Sequence, residues 1–481
     1  MSRLIAFWAL VAFCVIPLFS SSYSTALAAE EELTPAQQEA VQKAVQRYLR
    51  ENQFGGGMTR IDPPSTDLSQ PAKDSGKRLD QLSVPRALNK KYDSSMQGSG
   101  GLIYSRPFVA SPKAILGGYS NFEYRNANNQ GDPSTFDLHR FVPFIYADVS
   151  QNVKLATELE IEHGIREGTE TEVSLEFATV DYLIAEPINL RAGVILVPLG
   201  KFNLLHDAPL RDLTDRPFVN TFIIPTTLSE TGVGFYGTFY PTQLSKLDYE
   251  IYVTTGFNGF DGSAPRISEL KGLKDARQRK SKVGDGFDNN NGKSIAGRVA
   301  FSPVLGVEVG GSGYFGTYDP SSKRSLSIWA FDWTLQRGPF EVIGESAWAY
   351  VKNNSWTLTG TPATFTDPLT GIMRPLPQRM GGYYIQTNYH FLPAFLTQLA
   401  PNHFRPEVST FTAVVRWEEA NTNKDFNEGL GQYQQLTLGL NFRPTEDTVF
   451  KTNFQYAPET ISTVGKRIHD TAFIASVATY F

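Results

Sequence analysis

The chain has 481 residues, 41% hydrophobic and 12% aromatic, with only 19% charged against roughly 25% in average soluble domains. Its 33 Phe, 21 Tyr and 6 Trp exclude a disordered chain. A balance of 44 basic to 49 acidic residues, net −5, excludes a basic nucleic-acid binder.

Residues 1–28 read as a secretion signal. Arg3 gives the charged start, 4–19 the apolar stretch, and Ala26-Leu27-Ala28 a small-x-small cleavage site. Cys14, the single cysteine, lies inside it. Bulky Phe13 before it and apolar residues after it argue against a lipid-anchor site. Cleavage removes that thiol and Arg3, so the mature chain is expected to carry −6 and neither disulfide nor cysteine–metal site.

Residues 29–54 are expected to form an amphipathic helix. Thr34 suits an N-cap, Pro35 the first helical position and Gln37 the capping-box position. Val41, Ala44, Val45, Tyr48 and Leu49 form one stripe. An isolated helix and a trimerising or partner-binding helix both fit. Residues 55–112 read as a linker, opened by Gly55-Gly56-Gly57 and continued by Pro63-Pro64 and Pro71.

From 113 to 481 period-two alternation recurs in segments of about ten residues. In 154–163, Leu155, Leu159 and Ile161 share a face, opposite Lys154, Glu158, Glu160 and Glu162. In 434–443, Leu436, Leu438, Leu440 and Phe442 stand opposite Gln435, Thr437, Asn441 and Arg443. Sixteen segments are predicted, near 114–124, 136–149, 153–163, 172–184, 188–198, 230–240, 246–257, 294–302, 306–315, 325–335, 340–351, 381–391, 407–418, 432–443, 447–457 and 471–481. Links after even-numbered segments are mostly short turns such as Gln151-Asn152, and those after odd-numbered segments are usually longer. The link after segment twelve departs from this rule.

No run of about 18 apolar residues follows the signal, so no helical span is expected. In hydrocarbon only helices and closed barrels satisfy every backbone group. Short turns at one end and long loops at the other are the pattern of an outer-membrane barrel. The predicted fold is therefore all-β: a transmembrane antiparallel barrel of about 16 strands, behind a short helix and linker. Apolar residues face out, and Trp329, Trp333, Trp348, Tyr350, Tyr383 and Tyr389 form an aromatic girdle. Charge faces a water-filled lumen, where it is expected to be solvated. Its acids are Glu158, Glu160, Glu162, Glu176, Asp248, Glu341 and Glu345. Its bases are Arg140, Lys154, Arg191, Arg298, Arg416, Arg443 and Lys451.

These features resemble outer-membrane porins, and more narrowly the phosphate-selective porin O and P family. The carrying residues are Phe136-Asp137-Leu138-His139-Arg140 and the stretches 191–201 (RAGVILVPLGK), 294–299 (SIAGRV) and 381–393 (GGYYIQTNYHFLP). The end at Tyr480-Phe481 resembles the terminal-aromatic signal read by the barrel-assembly machinery. The resemblance implies a homotrimeric pore in outer-membrane lipid and lipopolysaccharide of a Gram-negative-type bacterium, passing small hydrophilic solutes or ions. It implies an inward-folded third loop within 199–229, with Lys201, His206, Asp207, Arg211, Asp212, Asp215 and Arg216 at the constriction. Anion selectivity does not carry over on these residues, because inward acids are as numerous as inward bases. Weak selectivity is expected, with cation preference an open alternative.

Other motifs give less. Residues 232–237 and 311–316 both match G-x-G-x-x-G, but no helix follows either, so no nucleotide site is expected. The basic run 271–282 reads as a solvated loop or as a contact for lipopolysaccharide phosphates. The six histidines lack H-E-x-x-H spacing, and no metal or cofactor is expected. An outer-membrane barrel enzyme and a barrel-anchored binding protein are the alternatives to a non-enzymatic channel.

Overall fold

The computed structural model describes residues 114–127, 134–163, 172–262, 264–277, 288, 290–353, 364–366, 373–425, 431–461 and 467–481. The signal, helix and linker expected over 1–112 lie outside the described residues.

The alternating segments form sixteen antiparallel strands in one closed barrel. They are β1 (Ala114–Ala127), β2 (Thr135–Asp148), β3 (Val153–Glu162), β4 (Glu172–Ala185), β5 (Ile188–Leu196), β6 (Ser229–Phe239), β7 (Lys246–Thr254), β10 (Ser294–Val304), β11 (Val307–Thr317), β12 (Ser325–Arg337), β13 (Phe340–Val351), β16 (Arg379–Phe391), β17 (Thr410–Asn421), β18 (Gln432–Thr445), β19 (Thr448–Ile461) and β20 (Arg467–Tyr480). Two small hairpins sit in long links: β8 (Phe260–Asp261) with β9 (Ala264–Pro265), and β14 (Thr364–Thr366) with β15 (Met373–Pro375). The irregular link after β16 contains a six-residue helix, α1 (Ala394–Leu399). Among the described residues no helix is long and apolar enough to cross a membrane.

Closure is made by β1 pairing with β20, from Tyr119 opposite Tyr480 to Ala127 opposite Ala472. The terminal residue continues this seam: Phe481 N–H donates to the Gly118 carbonyl, and Gly118 N–H donates back to Phe481. The Phe481 ring stacks on Phe141 with centroids 5.6 Å apart. A closed ladder leaves no edge, which is the condition for strands to cross an apolar layer.

Alternation sorts the two faces as the sequence predicts. Leu159, Val180, Ile251, Val299, Leu440, Phe450 and Phe473 are exposed on the outside. The six expected girdle aromatics share that outward parity; Trp329 and Tyr350 are about half exposed. Both G-x-G-x-x-G stretches lie within strands, β6 and β11, with no helix following.

The inside departs from a simple polar lining. An apolar cluster joins Val197, Leu199, Val219, Ile223 and Leu228 of the link 197–228 to Phe257, Ile267 and Leu273 of the link 255–293. Inward Ala296, Tyr314, Leu326, Ile328, Ala347 and Ala349 of β10 to β13, with Met380 and Tyr384 of β16, belong to it as well. Part of the lumen is therefore packed like a protein core. The sequence reading missed this, because small or aliphatic inward residues sit in strands whose other inward positions carry Arg298, Asp332 and Glu345.

Gly193 in β5 has φ +132, a conformation that side chains disfavour, and an added Cβ would meet the Ala178 carbonyl. Outward Gly311 in β11 has nothing within 4 Å of such a Cβ. Gly193→Val should therefore cost about 1–3 kcal/mol in urea unfolding of the micelle-refolded barrel. Gly311→Ala should leave the midpoint within error.

Candidate functional site

The inward charges expected to be solvated are instead buried and paired. Arg140, Glu158, Glu160, Arg191, Arg298 and Arg416 are each no more than 6% exposed. Burying an ion is costly unless it is paired and hydrogen-bonded, and partners two residues along or across the sheet supply that pairing. Arg191 donates Nε and Nη2 to the two oxygens of Asp181, each at 2.8 Å, across the β4–β5 register. Its guanidinium lies 4.4 Å from the centre of the Tyr236 ring. Arg140 donates to Glu160 at 2.8 Å and to Glu162 at 2.7 Å.

Arg298 on β10 reaches Asp332 on β12 at 2.5 and 3.1 Å, skipping β11. Gly310 on the intervening strand makes this possible, since a Cβ there would fall between the two groups. Asp332, Glu308, Glu418 and Asp181 were not singled out in the sequence. Their inward parity within alternating strands was the available signal.

The seven residues expected on the third long link all lie on 197–228, and hydrogen bonds tie this segment to the wall in many directions. Glu345 of β13 accepts from Phe202 N–H at 3.1 Å and from the Asn220 amide at 2.6 Å. Glu418 of β17 accepts from Phe218 N–H at 2.6 Å. Carbonyls are met by donors: Lys451 to Ala208 at 2.6 Å, Arg443 to Pro209 at 2.7 Å, and Arg416 to Asp215 at 3.0 Å.

Side chains add to this anchoring. Lys201 pairs with Glu308 at 3.1 Å. His206 lies between the Glu176 carboxylate and the Asn203 carbonyl, each at 3.0 Å. Tyr480 O–H donates to Asp207 at 2.8 Å. Asp212 accepts from Asn388 at 2.8 Å and from Arg443 at 3.3 Å. Asp215 accepts from Arg125 at 2.5 and 3.1 Å and from Gln455 at 2.7 Å. Burial by itself would raise the Asp215 carboxyl. The Arg125 charge and hydrogen bonds outweigh that and hold it down at about 2.

Two cations of the segment differ. Arg211 and Arg216 are each tied by one nitrogen, to the Thr214 and Thr226 carbonyls, both at 2.6 Å. The buried Nε and Nη2 of each have no hydrogen-bond partner. Burial, then the neighbouring Arg140 and Arg216, lower Arg211 to about 9. Burial and Arg140 lower Arg216 as well. Both remain cations at neutral pH. Beside Arg211 lies a cavity of about 370 Å³, between the segment and β12, β13, β16 and β17. Lys201, Arg211 and Arg416 line it together with Asp212, Asp215 and Glu341.

No family model matches the chain. An uncharacterized protein of Aquifex aeolicus (strain VF5) is 29% identical over 366 residues, covering 74% of this chain and 78% of that protein. Among solved structures, the anion-selective porin from Comamonas acidovorans aligns at 10% identity and TM-score 0.46, over 76% of this chain and 99% of its own. Salmonella typhi OmpF in complex with daunomycin aligns at 10% and 0.48, over 76% and 97%. The outer membrane channel DcaP of Acinetobacter baumannii aligns at 11% and 0.42, over 78% and 99%.

Glu345→Ala strands two buried donors, at about 1–3 kcal/mol each. The variant should remain a barrel by circular dichroism yet become open to trypsin after Lys201 or Arg211, where the parent resists. Acid should act through Asp215. A carboxyl held below its unfolded value stabilises fully above about pH 4, and that contribution is lost as pH falls through about 2. Pepsin should accordingly cut 197–228 near pH 2 and spare it at pH 4.

Proposed function

We propose that the barrel spans a bacterial outer membrane and forms a channel for passive diffusion of small hydrophilic solutes or ions, narrowed by 197–228. One observation carries this reading: a closed sheet apolar outside and charged inside, with a long link hydrogen-bonded to its inner wall. An exposed apolar outer face suits hydrocarbon, and the closed ladder satisfies the backbone there. Export by 1–28, a trimeric assembly, recognition of the Phe481 strand by the assembly machinery and a relation to the phosphate-selective porin O and P family belong to the same proposal.

Charge selectivity follows from which groups are left unpaired. Of the wall acids that argued for weak or cation selectivity in the sequence, Glu160 and Glu162 pair with Arg140, while Glu176, Asp248, Glu341 and Glu345 are held by other donors. Arg211 and Arg216 keep free donors on the link itself. Their positive field favours anions at that level of the path. The cavity beside them carries both signs, which suits small charged solutes of either kind.

Planar-bilayer recording tests the reading. The purified chain should give discrete conductance steps, and deletion of 207–215 should enlarge them. Absence of steps from a folded barrel would overturn the channel; unchanged steps in the deletion would overturn the narrowing. Arg211→Ala combined with Arg216→Ala should shift the reversal potential in a salt gradient toward cation preference.

A further inference from the structure

At the end of the wall that carries the long links, β2 holds one residue more than its partner. Asn121 of β1 pairs with Arg140 and Phe122 with Leu138, so His139 is the extra residue. Insertions of this kind re-aim a side chain. The His139 carbonyl accepts the backbone N–H of His163, just past β3, at 3.1 Å. The two imidazoles stand edge to face, with centroids 5.1 Å apart.

Both rings turn Nδ1 toward the same carboxylate oxygen, Oδ2 of Asp137, at 3.3 Å for His139 and 2.8 Å for His163. The candidate ligand atoms of all three residues lie within 4.8 Å of one another. Asp137 and His139 are partly buried, while the His163 side chain is 53% exposed, so the cluster opens to solvent. Glu123 Oε2 lies 4.0 Å from His139 Nδ1.

We propose that Asp137, His139 and His163 form a binding site for one divalent transition cation of the zinc class, with the fourth position open to solvent. Two imidazoles and one carboxylate are a donor set for zinc, nickel or copper. Magnesium and calcium demand more oxygen ligands. Ligands at 2.0–2.1 Å from a tetrahedral ion stand roughly 3.3 Å from one another. The Asp137–His139 separation already has that value, and the Asp137–His163 separation is about half an ångström shorter.

The surrounding charge permits a cation. Arg140 is answered by Glu160 and Glu162, and Arg125 by Asp215 and, at 3.8 Å, Glu123. Among the described residues the other grouping of this kind, Glu158, Glu176 and His206, is fully buried. There both Glu176 oxygens are taken, by His206 and Thr227, so that cluster fastens 197–228 instead.

The test is metal binding by the full chain, free of any histidine tag, in detergent micelles. Cobalt(II) should bind at one equivalent with visible ligand-field bands, and zinc(II) should displace it. His139→Ala and His163→Ala should each abolish that equivalent in a barrel that remains folded by circular dichroism. Glu123→Gln, which removes a negative charge 4.0 Å from His139 Nδ1, should weaken binding. His403→Ala, on the exposed link after β16, should leave it intact. No stoichiometric binding by the folded parent, or binding that survives both histidine variants, would overturn the site. Binding is read without conduction, so it stands or falls apart from the channel.

Discussion

A link that runs against the inside of a barrel carries peptide groups away from bulk water, and each one needs a partner. In this chain the wall supplies many of those partners. Glu345 and Glu418 take up amide protons of 197–228, while Lys451, Arg443 and Arg416 cap its carbonyls. The donors and acceptors come from four strands that are remote in sequence. The path of the link is therefore fixed by charged side chains whose own burial would be unfavourable without it. Neither part is satisfied alone, which is why both signs of charge occur inside the wall.

The same constraint divides the interior in two. Against β10 to β13 the link presents Val197, Val219, Ile223 and Leu228, and the wall answers with Leu326, Ile328, Ala347 and Ala349. On this side burial of apolar surface, which is non-directional and tolerant of small shifts, adds to the polar anchors at Glu308 and Glu345. Toward β16 to β20 and β1 the contacts are directional and charged, through Asp207, Asp212 and Asp215. Resistance to displacement there depends on pH and on ion pairing. The buried, unpartnered donors of Arg211 and Arg216 sit on this polar portion.

Backbone irregularities give the wall its special positions. Gly310 leaves the gap through which Arg298 reaches Asp332 across a whole strand. The extra residue in β2 brings His139 beside Asp137 and His163. A regular ladder places partners at fixed steps, so groups needed outside those steps require a missing side chain or an inserted residue.

Alternation of apolar and polar residues determined the sixteen strands, their approximate limits and which side chains face inward, because side-chain parity is a local property of extended backbone. Lys154, Glu158 and Glu160 share a face whatever lies around them. The seven residues of the third link were named as a group through the resemblance to porins, which implies an inward-folded loop there. Sequence could not say that Arg140, Arg191 and Arg298 are dry rather than solvated, since that depends on what else enters the lumen. Nor could it join Asp215 to Arg125, or His139 to His163, whose meetings depend on barrel closure, link path and one inserted residue. Period fixes direction along a strand. Only the closed tertiary structure decides which inward groups meet, because hydrogen-bonded partners such as Asp207 and Tyr480 lie 273 residues apart.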